Sequence, residues 1–117
     1  MTSSQPLHAM HCVPCEGGTE PLRHGEFQQY LPIIPTWTVA PDEKSIHKKF
    51  QFGNFRLALQ FVNAVGEVAE TEGHHPDIYL HDWKFVSITL STHAIGGLSI
   101  NDFVLASKID LLQQPTA

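Results

Sequence analysis

Apolar positions along the chain recur with two different periods, and the changes of period mark out the elements. From Ser45 to Phe52, residues Ile46, Lys48, Phe50 and Phe52 share one side while His47, Lys49 and Gln51 share the other, which predicts a strand. The segment Thr36–Ala40 (TWTVA) precedes it across the turn-prone Pro41-Asp42-Glu43, so the two predict a hairpin. Beyond Asn54, a residue suited to capping a helix start, the period lengthens. Phe55, Ala58, Leu59, Val62, Val65, Gly66 and Ala69 then fall on one stripe of a helix that should stop near Gly73. Ile78–Leu80 reads as a short strand and Asp82–Thr92 as a longer one, with Val86, Ile88 and Leu90 on one side. Gly96-Gly97 interrupts the pattern. Ser99 followed by Asp102 has the form of a capping box and opens a last helix, whose apolar side is Ile100, Phe103, Val104 and Leu111. A short helix over His24–Leu31, with Phe27, Tyr30 and Leu31 inward, completes the series, although Gly25 works against it. The order α-β-β-α-β-β-α predicts an α+β fold, an antiparallel sheet with helices packed on one face.

Composition narrows the picture. At 117 residues the chain is one domain, and 42% hydrophobic against 16% charged residues is the balance of a folding sequence. Residues 1–20 are aperiodic and rich in Pro, Gly and Ser, so they read as a flexible N-terminal arm before a single domain over 21–113. Seven Lys and Arg against twelve Asp and Glu give a net charge of -5 with no basic block, which argues against direct nucleic-acid binding. No apolar run reaches the ~20 residues of a membrane span, and the start MTSSQPLHAMHC lacks the pattern of a secretory signal. The two cysteines, Cys12 and Cys15 in HCVPC, fit a zinc knuckle with His8, His11 or His24, or a redox pair. Two reduced thiols in a cytoplasmic chain is the simpler reading. One layer of helices leaves strand edges and a sheet face open, a reason to self-associate.

Eight histidines are the unusual feature. Glu70, His74, His75, His81, His93 and Asp102 form the densest run of reactive side chains. Pro76 pushes His75 towards an extended backbone, so the histidine pair leaves from a helix-to-strand turn. His93 comes where the long strand runs out and can return to that turn. The spacing matches no HExxH metal helix, whereas imidazoles titrating near pH ~6.5 suit proton transfer at neutral pH. The residues alone reach an acid–base or metal site.

The stretch Glu70–Asp102 resembles the pterin-4a-carbinolamine dehydratases, also called 4a-hydroxytetrahydrobiopterin dehydratases. Glu70, then TEG, then His74-His75-Pro76 opens the pattern. An aromatic (Trp83) follows after DIYLHD, His93 comes after nine more residues within ITLSTHAIGGLS, and Asp102 ends it. Trp37, the phrase KFQFGNF, the helix FVNAVGEVAE and the Cys-x-x-Cys arm before Pro21-Leu22 are similar to family members too. Arg23 and Gly25 in the first helix, and Gly73 where some relatives carry Asp, depart from it. The resemblance implies a four-stranded antiparallel sheet with helices on one side, assembled as a homodimer or homotetramer. It implies loss of water from a 4a-hydroxytetrahydropterin to give the quinonoid dihydropterin in tetrahydrobiopterin recycling, with a pterin as substrate and neither metal nor organic cofactor. It further implies His74 and His93 as proton donor and acceptor, and His75 holding the pterin and the leaving hydroxyl. Asp102 would bond an imidazole or a ring donor, Glu70, Ser91 and Thr92 would line the site, and Trp37 would pack beside it. Some members of the family bind the dimerisation helix of a homeodomain transcription factor, so a dimerisation-partner protein without essential catalysis is the alternative.

Overall fold

The computed structural model describes residues 6–12 and 21–112. Its elements are α1 (His24–Phe27), β1 (Thr38–Val39), β2 (Ile46–Gln51), α2 (Phe55–Glu72), β3 (Asp77–His81), β4 (Phe85–Leu90) and α3 (Ile100–Asp110). The strands form one antiparallel sheet in the order β1-β2-β4-β3, so the fold is the expected α+β arrangement in the expected element order. Among the described residues no helix is long and apolar enough to cross a membrane.

Register places the apolar side chains of the central strands on one face, except Phe85, which lies on the other face with Gln51. Ile46 pairs with Leu90, Lys48 with Ile88 and Phe50 with Val86, while Ile78 and Leu80 continue the same rows on β3. Ile46, Val86, Ile88 and Leu90 are fully buried under the helices. The opposite face carries His47, Lys49 and Gln51 of β2, all exposed. Lys48 is the polar residue on the inward row. Its ammonium lies 4.6 Å from the centroid of the Phe50 ring and donates to Asp110 Oδ1 at 2.9 Å, so the charge is held between an aromatic face and a carboxylate.

Asn54 caps α2 as its side chain suggests, Oδ1 accepting the Leu57 N–H at 2.8 Å. The buried stripe of that helix is rotated from the expected one. Leu57, Ala58, Phe61, Val65 and Ala69 face inward, whereas Phe55 and Leu59 are exposed. The Phe61 ring sits 4.6 Å from Phe50 and 5.0 Å from Phe52, and seating this largest side chain decides which way the helix turns. α3 is buried almost all round, from Asn101 to Ser107, and Leu111 beyond its end is exposed, not part of its apolar side.

Other boundaries shift for local reasons. The first helix keeps a single turn and continues as looser turns to a 3-10 segment at Leu31–Ile33, because Gly25 and the short length make a helix marginal. β4 begins at Phe85 and not at Asp82, since Asp82 and Trp83 both take positive φ, 50° and 55°, in the turn from β3. Of the N-terminal arm, residues 6–12 are packed on the domain. Leu7–Ala9 form a 3-10 turn against α3, with Leu7 in the core and the Lys108 ammonium donating to the His8 carbonyl at 2.9 Å.

Phe61→Ala should cost about 3–5 kcal/mol in urea unfolding, because it empties a fully buried ring site between two other rings. A loss below about 1 kcal/mol would contradict this core.

Candidate active site

The end of α2 aims the histidine pair. Gly73 takes φ 65°, a left-handed conformation that glycine adopts at little cost, and the His74 N–H bonds back to the Ala69 carbonyl at 3.2 Å. His74 and His75 therefore occupy the turn into β3. Antiparallel pairing sets Asp77 opposite Thr89, so the chain leaving β4 passes the same turn and brings Ser91, Thr92 and His93 beside it. His93 opens a 3-10 turn, after which Thr92 and Gly97 bridge and the chain enters α3. Gly97 is required by space: a Cβ there would stand 2.7 Å from Pro21 Cβ, where the strand-like contact of Leu22 N–H with the Leu98 carbonyl runs alongside.

Asp102 ties these pieces together. Its side chain is fully buried, and its Oδ2 accepts from the Ser99 N–H at 3.0 Å and from the Thr92 hydroxyl at 2.9 Å. Ser99 Oγ lies 2.8 Å from Thr92 Oγ1 and accepts the Asn101 N–H, completing the capping box expected from the sequence. The other oxygen, Oδ1, accepts from His74 Nε2 at 2.7 Å. A carboxylate only accepts, so Nε2 of His74 carries a proton, and the tautomer this selects has Nδ1 as its acceptor. His75 is different. It is exposed, and its Nε2 pairs with the equally exposed carboxylate of Glu70.

A cleft of about 520 Å³ opens over this arrangement, within the range of small-molecule sites. His74, His75, Ser91, Thr92 and His93 all line it, so five of the residues singled out in the sequence come together. Asp102 and Glu70 stand behind two of the imidazoles. Trp37 does not belong there. Its indole N–H bonds Asp110 Oδ1 at 3.0 Å, at the far end of α3 from Asp102, where it fills the core beside Phe50. Trp83, the motif aromatic, lies on the exposed β3–β4 turn at the other end of the strands.

Three further lining residues with reactive or polar side chains were not expected at the cleft: Cys12, Glu72 and Asn101. Glu72 left a signal, since it continues the inward row Phe61, Val65, Ala69 of α2, where a carboxylate is out of place. Its side chain is 4 % exposed. Burial alone would raise its pKa. The Cys12 N–H at 2.7 Å, the His11 ring at 3.1 Å and the Lys108 ammonium at 3.4 Å outweigh burial and hold the carboxyl below the ordinary range. Among the described residues no three His, Cys, Asp or Glu side chains converge as metal ligands; Cys15 lies outside them.

The family model described as pterin 4 alpha carbinolamine dehydratase matches residues 20–112. A protein of Rubrobacter xylanophilus named "Putative pterin-4-alpha-carbinolamine dehydratase" is 48% identical over 106 residues, covering 91% of this chain and 97% of its own. A protein of the same name from Halorhodospira halophila is 46% identical over 101 residues, covering 86% and 92%. Among solved structures, a transcriptional coactivator/pterin dehydratase from Brucella melitensis superposes with TM-score 0.71 at 26% identity, covering 78% of this chain and 96% of that one.

Replacing Asp102 by Asn keeps the shape but presents an amide N–H₂ to His74. The expected outcome is a folded protein in which ¹⁵N NMR shows the neutral His74 ring switched from the Nε2–H to the Nδ1–H tautomer. An unchanged tautomer would contradict the assignment.

Proposed function

The chain belongs to the pterin 4 alpha carbinolamine dehydratase family, and from that premise we propose that it dehydrates a 4a-hydroxytetrahydropterin to the quinonoid dihydropterin by histidine acid–base chemistry. The observation that carries this reading is three imidazoles on one cleft, one of them held by a buried carboxylate.

The reaction breaks the bond from the ring carbon to its hydroxyl oxygen. The hydroxyl takes up a proton and departs as water. The neighbouring ring nitrogen loses its proton, and that N–H electron pair becomes the new C=N bond. Electrons balance within the pterin, so the step is two proton transfers, the kind of work positioned imidazoles do. His74 suits the acceptor role, because Asp102 leaves its Nδ1 with the lone pair. His93, whose ring no described group hydrogen-bonds, suits delivery of the proton to the hydroxyl. His75, exposed and paired with Glu70, suits holding the pterin and the departing oxygen. Ser91 and Thr92 shape the wall between them.

His74→Ala and His93→Ala are each expected to lower kcat about 10²-fold or more in a spectrophotometric dehydration assay. A near-normal rate in either variant removes that residue from proton transfer. For His75→Ala the loss should fall mainly on KM, and an unchanged KM would deny it a binding role.

A further inference from the structure

The cleft has one wall that comes from outside the family-model match. Residues 6–12 precede residues 20–112, yet they cross α3 and bring Cys12 to the same cleft as His74, His75 and His93. Four kinds of contact hold the segment there. Leu7 is buried in the core, Lys108 grips the His8 carbonyl, Glu72 takes the Cys12 N–H and the His11 ring, and the Cys12 thiol donates to the Asn101 carbonyl at 3.6 Å. Glu72 is the last residue of α2, directly before Gly73 and the histidine pair. Its carboxylate thus bonds the incoming segment while its backbone leads into the catalytic turn. A buried carboxylate is costly unless donors satisfy it, and here the donors are the segment's own N–H, His11 and Lys108. The carboxylate and the docked segment therefore depend on each other.

We propose that Glu72 is a positioning residue that fixes the segment Leu7–Cys12 as a wall of the pterin cleft, so that affinity for the substrate depends on the docked segment. This rests on the dehydratase reading of the cleft and deepens it. Glu72 takes no part in proton transfer. It acts through Cys12 and the backbone beside it, which narrow the cleft on the side facing α3.

The test uses the full chain carrying Cys15→Ser, so that alkylation by iodoacetamide reports Cys12 alone. Adding a tetrahydropterin that lacks the 4a-hydroxyl should slow Cys12 alkylation severalfold. Glu72→Ala should speed basal alkylation, abolish that protection, and raise KM for the hydroxypterin about tenfold, a loss of about 1.4 kcal/mol in binding, with kcat changed less than threefold. Glu72→Gln keeps an oxygen for the Cys12 N–H but loses the charge facing Lys108, and should give a partial rise in KM. It also carries the test if the alanine variant does not fold. The proposal is overturned if the pterin leaves Cys12 alkylation unchanged, or if the folded Glu72 variants keep wild-type KM. A wild type that turns over normally while these results fail would sink only this inference. A wild type that neither binds pterin nor dehydrates would sink the reading it rests on.

Discussion

The structure turns on one buried carboxylate. Asp102 has two oxygens and divides them between two tasks: Oδ2 starts α3 and clamps the end of the β4 segment through Thr92, and Oδ1 holds His74. Burying such a group costs several kcal/mol unless donors surround it. Here a backbone N–H, a hydroxyl and an imidazole all point at it, and no buried side-chain polar atom among the described residues lacks a partner. The consequence is that helix capping and histidine orientation cannot be separated. Moving α3 by a fraction of an ångström would move the imidazole, so the packing of the helix layer on the sheet is transmitted directly to the chemistry of the cleft.

The sheet supplies the other half of the geometry. Antiparallel pairing of β3 with β4 ensures that the turn after α2 and the chain leaving β4 end side by side, although His75 and His93 are far apart in sequence. Gly73 and Gly97 make that meeting possible for different reasons, one by its left-handed backbone and one by the room it leaves for Pro21. The catalytic candidates are thus carried by short turns between rigid elements, where positioning is tight and exposure to a ligand is retained.

Much of this was legible in the sequence, and the gaps have physical causes. The β2 alternation and the Ser99–Asp102 box are local signals, decided by neighbours two or three residues away, and both match the structure. The stripe of α2 is not local. Phe55 and Leu59 obey the helical period as well as Phe61 does, but only the sheet, with its rings at Phe50 and Phe52, selects which apolar row goes inside. Trp37 was expected beside the site only through the family resemblance, and its indole N–H instead bonds Asp110. The start of β4 was hidden because Trp83 gives no composition cue for positive φ and a single Asp82 gives only a weak one. Glu72 stood in plain view as a charged residue on a buried row. Two of its partners, Cys12 and His11, come from the arm, a segment without any periodicity of its own, and the third, Lys108, from α3.

The account's central claim is that the histidine cleft dehydrates a hydroxypterin. It is tested most directly by following, through absorbance, the dehydration of enzymatically generated 4a-hydroxytetrahydropterin in the presence of chelator. Wild-type protein would be run beside a folded His74→Ala/His93→Ala double variant. The account predicts clear acceleration by the wild type and none by the double variant. Equal rates from the two proteins, or no acceleration by folded wild type, would contradict it and leave the cleft as a binding site whose partner is still to be found.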